Sequence, residues 1–80
     1  MEKRSVTKRK LTIRPDGSVQ VTYLSATFWD DENIRHDIDT ERAIYASHPG
    51  VQSIEEADAE HVLTVVYASG TVRVITYSDN

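Results

Sequence analysis

From Ser5 to Phe28, apolar and polar residues alternate with a period of two, the pattern of strands that turn one face to a core. The alternation breaks at Arg14-Pro15-Asp16-Gly17-Ser18. Proline presets φ at the second position of a turn, Asp tolerates the third, and Gly takes the positive φ that closes a three-residue hairpin with a bulge. This predicts strands over 6–14 and 18–28. Setting Arg14 opposite Ser18 pairs Ile13 with Val19, Leu11 with Val21 and Arg9 with Tyr23 on an apolar face. It pairs Thr12 with Gln20, Lys10 with Thr22 and Lys8 with Leu24 on a polar face. A half-buried hairpin requires that separation, with the apolar side toward the core. After Tyr23 the apolar phase moves to Leu24, Ala26 and Phe28, which calls for a bulge or for a strand end covered on both faces.

The next segment is ambiguous. Asp30-Asp31-Glu32-Asn33 reads as a turn or a helix start. Ile34, His36 and Ile38 alternate like a strand, yet Ile34 and Ile38 are also four apart, as on a helix. Asp39 or Thr40 then suits an N-cap, Thr40 to His48 reads as a short helix, and Pro49-Gly50 stops it. Val51 to Ala57 reads as a short or edge strand, and Asp58-Ala59-Glu60 as a turn. His61 to Ala68, Ser69-Gly70 and Thr71 to Ser78 form a second hairpin with Val and aromatic residues on both faces. The expected fold is α+β: a mostly antiparallel sheet of four to five strands, built from two hairpins, with one short helix packed on it.

Composition narrows the class. The 80 residues suffice for one small α+β domain, with the charged residues 1–4 expected to fray. Ordinary apolar and charged fractions, 39% and 28%, argue against disorder along the whole chain. The absence of cysteine excludes disulfides, Cys-based zinc sites and a thiol nucleophile. No apolar run approaches the roughly 18 residues of a spanning helix, so a cytoplasmic protein with no membrane association is expected. A chain of this size buries only about 60% of its unfolded surface, so association would help its stability.

Charge is unevenly divided. Residues 1–14 hold six bases against Glu2, whereas the remainder holds three arginines against twelve acids. The acids gather at Asp30, Asp31, Glu32, Asp37, Asp39 and Glu41, and again at Glu55, Glu56, Asp58 and Glu60. Solvation is one role for such faces. Another is to fill a cationic groove on a second protein, where complementary charge speeds association. Trp29, set beside the first cluster, is the natural anchor; the same residue would also serve to close one end of the sheet core.

Catalytic patterns are lacking. His36, His48 and His61 are 12 and 13 apart, without the tight pairing of metal motifs, so neither a metal site nor a cofactor is expected. No nucleophile elbow accompanies the Ser, His and Asp residues, and adjacent acids such as Asp30/Asp31 or Glu55/Glu56 suit caps and solvated surface. The three glycines fall at turns or a helix end, not in a phosphate loop.

The leading expectation is thus a small non-enzymatic protein-binding module, an acidic inhibitor or adaptor with the general profile of phage-type counter-defence proteins. Its contact residues would be Trp29, Asp30, Asp31, Glu32, Asp37, Asp39, Glu55 and Glu56. The alternative is nucleic-acid binding through Lys3, Arg4, Lys8, Arg9 and Lys10, with Lys8 and Lys10 forming a cationic strip on the polar face of the first hairpin. An overall pI near 5.2 weighs against dominant nucleic-acid affinity. A third expectation is a homodimer joined by sheet edges, with Thr71 to Ser78 as the contact.

Overall fold

The computed structural model describes residues 3–57 and 61–80. Its elements are β1 (Arg4–Ile13), β2 (Val19–Trp29), α1 (Asp31–Ala46), β3 (Val51–Ala57), β4 (Val62–Tyr67) and β5 (Val72–Asp79). All neighbouring strands are antiparallel, in the order β2-β1-β5-β4-β3, and the single helix packs on the sheet. This is the α+β architecture that the alternation implies. The turn expected at Asp58-Ala59-Glu60 and the fraying expected of Met1 and Glu2 lie outside the described residues, whereas Arg4 opens β1.

The first hairpin closes as its residues dictate. Arg14 N–H donates to Ser18 O at 2.9 Å, Gly17 N–H donates to Arg14 O at 2.9 Å, and Gly17 has a φ of 89°. Ser18 N–H also donates to Asp16 Oδ1 at 2.9 Å. This bond holds the exposed Asp16 carboxyl below the usual carboxylate range. The pairs Ile13–Val19, Thr12–Gln20 and Leu11–Val21 form as expected. Beyond them Thr22 is extra, so Lys10 pairs with Tyr23, Arg9 with Leu24 and Lys8 with Ser25. The expected pairs Arg9–Tyr23, Lys10–Thr22 and Lys8–Leu24 are each displaced by this bulge. Its effect is to return Leu24, Ala26 and Phe28 to the face that already holds Val19 and Val21.

Residues 30–38 settle as helix. Asp30 is the N-cap of α1. Its side chain accepts from Asn33 N–H at 2.8 Å, and the Asn33 side chain accepts from the Asp30 N–H, a reciprocal capping box. Asp31 and Glu32 occupy the first turn, where negative charge favours the helix dipole. Ile34, Ile38, Glu41 and Tyr45, spaced by four, three and four, form the buried stripe. The helix therefore starts nine residues before Thr40, because cap and stripe agree and outweigh the alternation at Ile34, His36 and Ile38. It ends at Ala46; Ser47 caps it, and Gly50 has a φ of 82°.

The core lies between α1 and one face of the sheet. Val6, Ile34, Ile38, Leu63, Val65 and Ile75 are fully buried, with Tyr45 and Tyr77 nearly so. Trp29, Val51, Ile54 and Tyr67 pack around them. On β1 this face consists of Val6, Lys8, Lys10 and Thr12, as the pairing of Lys8 with Tyr77 and of Lys10 with Ile75 requires. The helix thus covers the polar side of the first hairpin, and the apolar side points away from it. That reverses the expected orientation. The physical reason is that α1 supplies carboxylates for the two lysines together with isoleucines for the core. A second correction concerns β5. It lies at the centre of the sheet, bonded to β1 and β4, so Thr71 to Ser78 offers no free edge for a homodimer.

Candidate functional site

Beneath α1 the side chains form a partly buried ionic layer. Lys8 Nζ lies 2.6 Å from Asp37 Oδ2 and 3.5 Å from Glu41 Oε2. Lys10 Nζ lies 2.7 Å from Glu41 Oε2, and the Glu41 residue is only 5% exposed. Tyr77 OH donates to Asp37 Oδ2, while Arg73 donates to Tyr45 OH at 3.2 Å and to Thr12 Oγ1 at 3.3 Å. Both lysine ammonium groups sit 5.6 Å from the centre of the Tyr23 ring. Burial opposes the charge on Lys10, but the hydrogen bond and charge of Glu41 outweigh it, and its pKa is raised. Burial, reinforced by the bond to Asp37, pushes the Tyr77 hydroxyl far above its ordinary range. Each group has a partner here, so the layer fixes the seat of the helix.

A second group of charges ties the helix to the far edge of the sheet. Arg35 reaches Glu56 at 2.6 and 2.9 Å and Asp39 at 2.9 Å, and Arg42 pairs with both acids. Among the expected contact acids, Asp37, Asp39 and Glu56 therefore meet cations of their own chain. Glu55 points to the opposite face of the sheet from Glu56, as alternation along β3 demands. The eight residues do not form one surface.

Four of them do gather. Trp29 ends β2 and Asp30, Asp31 and Glu32 follow immediately, at the N-terminus of α1. Trp29 is half-buried, 5.7 Å from the Tyr77 ring between centres. Beside it is an open hollow of about 320 Å³ lined by Lys3, Phe28, Trp29, Asn33, His36 and Asp37. Asp31 accepts from Arg4 at 2.6 Å, and Glu32 is exposed.

The five expected nucleic-acid residues are dispersed. Lys8 and Lys10 lie under the helix, and Arg9 points to the opposite face. Arg4 bridges Asp31 and Asp79, which raises its pKa through those two bonds, and Lys3 borders the hollow. Among the described residues, no three His, Asp or Glu side chains are grouped to hold a metal ion. His36 is exposed on the helix, and His48 Nδ1 lies 3.3 Å from Tyr67 OH. Among the described residues, no helix is long and apolar enough to cross a membrane.

The feature that sequence reasoning missed is the uncovered side of the sheet. Its register brings together Leu11 and Ile13 of β1, Val72 and Val74 of β5, Val62 and Val66 of β4, and Val19, Val21, Leu24 and Phe28 of β2. On β2 these side chains are 53% to 68% exposed. The signal was present in the alternation; what was missing was the side on which the helix sits. Compared with family models, curated proteins and solved structures, the chain matches none of them.

Proposed function

We propose that this protein is a small non-enzymatic protein-binding module, an acidic inhibitor or adaptor acting in the cytoplasm. The observation that carries the reading is the corner where Trp29 and the helix N-terminus meet. An aromatic side chain there borders an open hollow, and Asp30, Asp31 and Glu32 follow it directly in sequence at the helix N-terminus. A partly buried aromatic anchor ringed by polar groups is the arrangement typical of interface hot spots. The acids select a partner that offers a basic groove or segment, and they speed its encounter.

The test uses variants that respect the fold. Asp30 is unsuitable, because it caps the helix and its loss costs about 1 kcal/mol. Asp31→Asn combined with Glu32→Lys changes the charge at exposed positions, and Asn at 31 keeps a hydrogen-bond acceptor for Arg4. The expected result is that the wild-type chain retains a stoichiometric protein partner from host lysate after nuclease treatment, and that the folded double variant loses it. Retention by the folded variant removes this corner from the function. Recovery that disappears with nuclease would instead favour nucleic-acid binding through the basic residues of 3–10.

A further inference from the structure

We infer that a second copy of this chain covers the open face of the sheet, the two sheets packing face to face with a helix on each outer side. This rests on the uncovered face alone and is independent of the Trp29 corner. Five strands spaced roughly 4.8 Å apart, with about seven residues of roughly 3.3 Å each, give a flat footprint of roughly 500–600 Å² per copy. Side-chain relief adds to that, bringing it to the roughly 600–1,000 Å² each partner contributes to a specific interface.

Charge selects the occupant. The molecule is acidic overall, with a net charge of −4, and the acids of α1 lie on the helix side. On the open face the described charged side chains are Arg9 and Glu55, one of each sign, and neither has an ion-pair partner among the described residues. A strongly basic or acidic partner finds little to recognise there, whereas a copy of the same face is neutral toward itself.

The strand order supplies the symmetry. With β5 in the middle of five strands, a two-fold axis along β5 lays β1 over β4 and β2 over β3 of the other copy. Before the roughly 30° twist between packed sheets is applied, the shared registers set Leu24 opposite the second copy's Ala57, and Val19 opposite its Ser53. Leu24 and Val19 thus meet small side chains of β3, while Val21 by the same registers falls opposite the other copy's Glu55. Arg9 falls one strand and two residues from the other copy's Glu55, and the axis repeats that pairing.

Sedimentation velocity of the full chain, over concentrations up to about 1 mM, tests the inference. The wild type is expected to dimerise. Leu24→Glu and, separately, Val19→Glu should weaken the dimer about 100-fold or more while circular dichroism shows an unchanged fold, because both side chains are exposed in the protomer. Gln20→Glu, on the same strand but the helix side, should leave the dimer intact. A wild type that remains monomeric throughout overturns the inference. So does a dimer that survives both Glu variants, or one whose formation newly protects the outward backbone amides of β2 from hydrogen exchange, since association would then run along the strand edge.

Discussion

The two faces of the sheet differ in a way that runs against the usual rule. The face under α1 holds a buried lysine and threonine, with a half-buried lysine and arginine, beside its aliphatic core, whereas the face turned away carries most of the valines and leucines of the first hairpin. The covered face tolerates its charges because the helix brings Asp37 and Glu41 to meet them. The open face has no such partner. Burial in this fold therefore follows the complementarity of two elements, and hydrophobicity of one strand does not decide it. A buried ion pair is poor evidence of net stability, since desolvation offsets most of its attraction.

Three measurements would break or sharpen that contrast. The largest effect is expected in the apolar part of the covered face. Leu63→Ala should lower unfolding free energy by about 2–5 kcal/mol, whereas Leu24→Ala, on the open face, should stay within about 0.5 kcal/mol in the dilute protomer. Equal losses in urea titrations would erase the distinction between the faces.

Next comes the ionic layer. Glu41→Ala leaves Lys8 and Lys10 short of a counter-charge under the helix and should cost about 3 kcal/mol. Glu41→Gln should cost less, because it keeps the hydrogen-bonding shape. A change near zero for Glu41→Ala would mean that water solvates the lysines and that the layer is not buried in practice.

The smallest effect is a dependence on alkaline pH. Tyr77 and Lys10 both have folded-state pKa values above their ordinary 10.0 and 10.5. For a raised pKa the stabilisation is complete below the unfolded value and is lost as pH rises toward the folded one. Thermal midpoints should therefore fall above about pH 10, and Tyr77→Phe should flatten part of that slope. An unchanged slope in Tyr77→Phe would assign the alkaline loss to other groups.

Much of the local structure is legible in the chain. Pro15, Asp16 and Gly17 encode a hairpin register that holds through Leu11–Val21, and the phase change after Tyr23 announces the bulge at Thr22. The helix is harder to read. Ile34 and Ile38 fit two periods, and the Asp30–Asn33 box becomes decisive only when both side chains are seen to bond the backbone. The candidate site is less legible still. The acids are visible as clusters, but residues adjacent in sequence, such as Glu55 and Glu56, point to opposite faces, and distant ones, such as Asp37 and Lys8, neutralise each other.

The sequence by itself determined the kinds of element, the two hairpins and the two-faced character of β1 and β2, because these follow from local periodicity and turn chemistry; it left the strand count at four to five and residues 30–38 open. The tertiary structure decided which face is covered, that β5 is central, and which charges remain to meet a partner. Those outcomes depend on how one amphipathic helix with two well-placed carboxylates docks across strands distant in sequence, and no local pattern records that choice.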